Sequence, residues 1–163
     1  MADYDDENDL LKEKLDQMNP QRVQRDNFLN AISQLESSGG QNLNHPVIQS
    51  GPQAGQQAIG SYGLLPNTIQ ELSNRAKLQN SLTPEMAAAA RNPAAVSQDP
   101  NLEKQFADQL ANKVLNKFHD PNMAAYAWNS GHNLTPEQIR ERDFKNNPYV
   151  QKFSKVWKAL GNK

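Results

Sequence analysis

Apolar residues along this chain fall mostly at helical spacing. Leu102, Phe106, Leu110, Val114 and Phe118 make an unbroken four-residue repeat, which predicts the longest helix of the molecule. Val150, Phe153, Val156, Trp157 and Leu160 make a second stripe that stops at Gly161 and predicts a C-terminal helix closing the core. Residues 123–131 read as a short helix with Gly131 placed to end it. Upstream, Phe28, Ile32 and Leu35 mark a helix that Ser38-Gly39-Gly40 stops. The punctuation agrees with the periodicity. Thr83-Pro84, Asp99-Pro100, Asp120-Pro121, Thr135-Pro136 and Asn147-Pro148 each put a capping side chain before a proline suited to a first helical turn. Thr135 and Gln138 add a capping box. No run of alternating apolar and polar residues is long enough for a strand. The predicted fold class is all-α.

Two segments depart from this pattern. Residues 1–20 form an acidic leader, read as partly disordered or as a short charged helix over residues 10–18 that Asn19-Pro20 ends, so the packed domain spans 21–163. Residues 37–59 lose periodicity and fill with Gly, Gln, Asn, Pro and Ser, which predicts a long irregular loop or small ribbon directly after the helix that carries Glu36. Irregular stretches of that length are usually functional or mobile.

Composition narrows the classes of function. The 163 residues suit one domain, and with 36% apolar residues its core is lean. Asn and Gln supply roughly a fifth of the chain, giving a neutral, hydrogen-bonding surface compatible with sugar recognition. A net charge of -1 offers no electrostatic reason to expect nucleic acid. No apolar run is long enough to insert in a membrane, and the acidic start does not read as an N-terminal secretory signal. With no cysteine, disulfide and thiol chemistry are excluded. His45, His119 and His132 are scattered without metal-ligand spacing, and the glycines lack the context of a phosphate-binding loop. Neither a metal nor another cofactor is expected.

Glu36 is the strongest candidate for chemistry. At helical spacing it lies beside the Phe28, Ile32 and Leu35 stripe, where partial desolvation raises a carboxyl pKa and suits a general acid. Downstream, Gly60-Ser61-Tyr62-Gly63 sets two glycines around a tyrosine, an arrangement that lets backbone approach a ligand while the ring packs on it.

Three elements stand in order: Glu36-Ser37, then Gly60-Ser61-Tyr62-Gly63-Leu64 with Pro66-Asn67-Thr68, then Ala127-Trp128-Asn129-Ser130-Gly131. Over roughly residues 21–135 they resemble the lysozyme-like domain of lytic transglycosylases, related to goose-type lysozymes. That family's pattern reads Glu-Ser, then Gly-Ala-x-Gly-Leu-Met-Gln with Pro-x-Thr beyond, then Ala-Tyr-Asn-Ala-Gly. Two departures stand out. The segment after Gly63-Leu64 is shortened, so the family's cleft glutamine has no counterpart, and Trp128 replaces the usual tyrosine.

The resemblance implies a lysozyme-like fold that cleaves the bond between N-acetylmuramic acid and N-acetylglucosamine in peptidoglycan. Glu36 would be the lone acid and base, forming a 1,6-anhydro product. Ser37, Ser61, Tyr62, Trp128 and Asn129 would contact the glycan. With tryptophan at 128, the hydroxyl that orients the acid falls to Tyr62 or Tyr126, although Tyr126 reads better as a core residue. Asp99 and Asp120 are the acids available for a second carboxylate, and both also read as helix caps. A hydrolytic muramidase or endolysin is the alternative outcome. A non-enzymatic structural or glycan-binding module on the same scaffold is the alternative class. The expected setting is a bacteriophage virion opening the host's periplasmic wall, with peptidoglycan strands and other virion proteins as partners, or else a muramidase of a bacterial secretion apparatus.

Overall fold

The computed structural model describes residues 7–12, 14 and 19–162. Eight of the ten prolines, 20, 66, 84, 93, 100, 121, 136 and 148, open a helix. The α-helices are α1 (Pro20–Ser37), α2 (Pro66–Leu78), α3 (Pro84–Arg91), α4 (Pro100–Phe118), α5 (Pro121–Ser130), α6 (Pro136–Glu141) and α7 (Pro148–Ala159). Short 3-10 helices lie at Pro93–Gln98 and Phe144–Asn146. All five predicted caps form: Thr83, Asp99, Asp120, Thr135 and Asn147 each accept a backbone N–H from the first turn of the helix that follows. The Thr135/Gln138 capping box is present. Among the described residues the fold is mainly helical with no strand, as the all-α reading expects.

Asn19-Pro20 does more than end a leader. The Asn19 side chain accepts the Arg22 N–H, so the pair caps and starts α1, an 18-residue helix. Residues 7–12 and 14 are helical, whereas the parts of the leader expectation that fall on 1–6, 13 and 15–18 lie outside the described residues.

α5 sits at the centre. Met123, Ala124, Ala125, Tyr126 and Ala127 are all buried, and the small alanines let α4 and α7 pack closely on it. α1 lies across α7 and α4, with Phe28 edge-on to Trp128 and tilted against Phe153, which stacks on Trp157. α2 and α3 pack together on the far side. These elements carry one continuous core, which brings the ends of α1 and α5 and the starts of α4 and α7 toward residues 59–64.

α1 ends abruptly at Ser37. Ser38, Gly39 and Gly40 all take left-handed backbone angles, and the Gly39 N–H closes back on the Ser33 carbonyl. The chain then runs through the predicted irregular segment. Its only pairing among the described residues is two antiparallel bridges, Val47 to Gln57 and Ile59 to Leu64, which make a small ribbon and a tight turn. The second bridge pinches residues 59–64 through reciprocal backbone hydrogen bonds of 2.8 and 3.0 Å, and this turn faces the end of α1 at Ser37.

Candidate functional site

Glu36 lies one residue before the end of α1, half-buried, and the Tyr149 hydroxyl donates to its Oε1 at 2.8 Å. Burial pushes the Glu36 carboxyl above the usual carboxylate range, opposed in part by the Tyr149 hydrogen bond and by nearby His45. Tyr149 sits in the first turn of α7, where Asn147 fixes the helix start by accepting its N–H at 2.9 Å. Burial and the adjacent carboxylate hold the Tyr149 hydroxyl well above its ordinary pKa, so it stays a donor. The pair is a carboxyl whose proton affinity is raised and whose orientation is fixed by a neutral phenol.

The other side of the carboxyl meets backbone. Gly63 has φ +64°, and a Cβ at that position would stand 2.7 Å from Glu36 Cδ. Only glycine permits both that backbone angle and that approach. The glycine therefore serves the carboxylate, and a ligand reaching Glu36 must also pass close to the turn.

That turn is held from four directions. Ser37 Oγ donates to the Ser61 carbonyl at 2.7 Å, and His45 Nε2 donates to the Gly60 carbonyl at 2.7 Å. Trp128 Nε1 donates to the Tyr62 carbonyl at 3.2 Å. From α4, Glu103 Oε1 accepts both the Ser61 and Tyr62 N–H groups, at 2.6 and 3.1 Å. Glu103 is 4% exposed, and burial raises its pKa against the lowering effect of those two bonds. Gly60, with φ +72°, leaves room for it: a Cβ there would stand 2.8 Å from Glu103 Oε1. The turn thus places one glycine against each of two carboxyls.

The sequence-derived candidates separate accordingly. Ser37, expected at the ligand, is 2% exposed; its hydroxyl also accepts the Gly40 N–H at 2.8 Å, so it anchors the turn instead. Trp128 is half-buried with its single donor committed to Tyr62, which leaves its ring face, not a hydrogen bond, for a ligand. Ser61 and Tyr62 are half-buried in the turn, and Asn129 is exposed at the end of α5. Neither candidate for orienting the acid does so. Tyr126 packs in the core at 8% exposure, as its alternative reading had it, and Tyr62 contributes its backbone while its ring packs on the core. The orienting hydroxyl belongs to Tyr149.

Asp99 and Asp120 spend an oxygen each on helix caps, accepting from Leu102 and Asn122. The acid that does reach the turn is Glu103, and its oxygen is occupied by backbone. Sequence reasoning missed Tyr149, Glu103 and His45. A signal existed for Glu103, an acid at i on the Phe106, Ala107, Leu110 face of α4. Among the described residues, no group of three metal-ligating side chains could hold an ion, and no helix is long and apolar enough to cross a membrane. No protein-family model, no curated protein and no solved structure matches the chain.

Proposed function

We propose that the protein is a lysozyme-like peptidoglycan lytic transglycosylase with Glu36 as its single acid and base. One observation carries the reading: a half-buried carboxyl of raised pKa, hydrogen-bonded by Tyr149 and backed by the bare backbone of Gly63. A group of that kind holds its proton nearer neutral pH and delivers it in a fixed direction. The order of Glu36-Ser37, the Gly60 to Leu64 turn and Trp128-Asn129 gives the substrate class, because it resembles the pattern of enzymes acting on peptidoglycan.

In the reaction, protonated Glu36 gives its proton to the oxygen linking N-acetylmuramic acid to N-acetylglucosamine. The C1–O bond breaks, and positive charge develops on C1 and the ring oxygen. The resulting carboxylate then takes the proton from the muramoyl 6-hydroxyl. O6 bonds to C1, closing the 1,6-anhydro ring and returning Glu36 to its acid form. Tyr149 stabilises the carboxylate between the two transfers, and its own high pKa keeps it from acting as a competing base. Glu103, 4% exposed and with its Oε1 held by two backbone N–H groups, does not present a free carboxylate, which supports this route over a two-carboxylate hydrolysis, in which a second free acid would flank the bond.

Ser61, Tyr62, the Trp128 ring face and Asn129 are the proposed glycan contacts, with Tyr62 and Trp128 supplying flat apolar surface for sugar rings. Delivery in a bacteriophage particle to the host's periplasmic peptidoglycan is the proposed setting. Probing purified virions with an antibody to this chain tests it, and absence from the particle would remove it. The chemistry is tested by incubating purified sacculi with the protein and with Glu36→Gln. The proposal expects solubilisation only by the former, with at least roughly a hundredfold difference in rate, the scale of a lost general acid.

A further inference from the structure

We propose that the cavity formed by the 3-10 turn at Phe144–Asn146, the start of α5 and the outer face of α7 binds the phosphate of a polyol phosphate. The cavity has a volume of about 420 Å³ and is lined by Asn122, Lys145, Val150, Gln151, Ser154, Lys155 and Lys158. That volume falls in the range of about 300–1,000 Å³ common to small-molecule pockets. No acid is among its lining residues, and among the described residues none of the three lysines takes part in an ion pair. Three unopposed ammonium groups around one hollow favour an anion that carries more than one negative oxygen, as phosphate does.

The sequence concentrates charge here. From Arg140 to Lys163 the chain has seven basic residues and two acidic ones, although the whole chain carries -1. Regional asymmetry of this kind attracts anions that the net charge alone would not suggest.

A second observation adds a hydroxyl to the ligand. Asn122 Oδ1 is buried and, among the described residues, has no hydrogen-bond partner. An unpaired buried acceptor requires a donor, and phosphate oxygens at neutral pH mostly lack one. A hydroxyl next to the phosphate supplies it once the Asn122 amide, which lines the cavity, turns its now-covered oxygen toward the ligand. Gln151 and Ser154 offer further neutral partners, and Val150 offers an apolar contact for carbon. Glycerol phosphate and sugar phosphates share this chemistry, free or as a lipid headgroup.

Neither Glu36 nor Tyr149 lines this cavity, and the inference does not rest on the proposed reaction. Lys158 follows Tyr149 by nine residues, which at about 100° per residue puts it half a turn around α7 from the ring that reaches Glu36.

The test is titration of the full ¹⁵N-labelled chain with glycerol 3-phosphate, glycerol and inorganic sulfate at fixed ionic strength. Lys145→Gln/Lys155→Gln/Lys158→Gln serves as the control variant; all three residues are exposed, so the fold is retained. Glycerol 3-phosphate is expected to shift the amides of Gln151, Ser154 and Lys155, to bind more tightly than sulfate, and to lose at least about tenfold in affinity in the triple variant. Co-sedimentation with phosphatidylglycerol and phosphatidylserine vesicles separates the sources. Lysine-dependent preference for phosphatidylglycerol supports a lipid-borne group, and saturable binding of free glycerol 3-phosphate alone supports a soluble one. Binding in neither assay overturns the site, as does binding unchanged in the triple variant or no stronger than sulfate.

Discussion

Tyr149→Phe removes one hydroxyl and leaves the ring. The hydroxyl donates at 2.8 Å to Glu36 Oε1, a bond that favours the carboxylate over the acid. A hydrogen bond to a charged group contributes about 1.5–3 kcal/mol when water is excluded. Glu36 is only half-buried, so water recovers part of the loss, and the lower end, about 1.5 kcal/mol, is the better figure. Since the bond lowers the Glu36 pKa against the rise caused by burial, its removal moves that pKa further up. A ¹³C titration of the Glu36 carboxyl in both proteins reads the change directly, without reference to catalysis. In sacculus solubilisation, the alkaline limb of the pH profile is expected to follow the same way. The rate below that limb should fall roughly ten- to a hundredfold, because the acid is less well oriented. An unchanged or lowered Glu36 pKa in a folded Tyr149→Phe protein would refute the argument.

Three further outcomes follow from the same geometry. Gly60→Ala and Gly63→Ala share the cost of a left-handed alanine, about 1 kcal/mol, and each strikes a carboxyl; Gly60→Ala meets the buried Glu103 clamp and is expected to have the lower Tm, while Gly63→Ala alone strikes Glu36 and is expected to lose roughly a hundredfold in turnover. Equal activity in the two would contradict the assigned contact. Glu103→Ala strands two backbone N–H groups and is expected to destabilise the fold by about 2–4 kcal/mol; unaltered hydrogen exchange at Ser61 and Tyr62 would argue against the clamp. Glu36→Gln is expected to melt higher than the parent near neutral pH. A carboxyl whose folded pKa is raised binds more protons in the native state, so its presence costs stability as pH rises from the ordinary carboxylate value through the raised one. The difference in denaturant midpoint should vanish at low pH and grow to a plateau; a difference that shrinks with rising pH would reverse the sign of the argument.

The helices were legible because their ends are written in side chains. Thr83, Asp99, Asp120, Thr135 and Asn147 stand before prolines, and each cap acts over two or three residues, a range that a sequence displays openly. Asn19-Pro20 carries the same signal, but in sequence it stands at the end of a charged leader, because the strong stripe of α1 begins only at Phe28. Glu36 was visible from its place beside that stripe. Its partner was not, since Tyr149 is separated from it by 113 residues and comes into reach only once α7 packs on α1. Trp128 misled in a different way. A motif position suggests a ligand contact, while the structure turns its indole N–H to the Tyr62 carbonyl, a bond no local pattern encodes. Ser37 likewise looked like part of a binding motif and proves to be a tie between α1 and the turn.

Mass spectrometry of the fragments released from purified sacculi tests the central claim most directly. Muropeptides ending in 1,6-anhydro-N-acetylmuramic acid, each one water lighter than its reducing counterpart, are expected from the parent protein and none from folded Glu36→Gln. Reducing ends would contradict the single-carboxylate transglycosylase route, and release by Glu36→Gln equal to the parent would contradict the assignment of Glu36 itself.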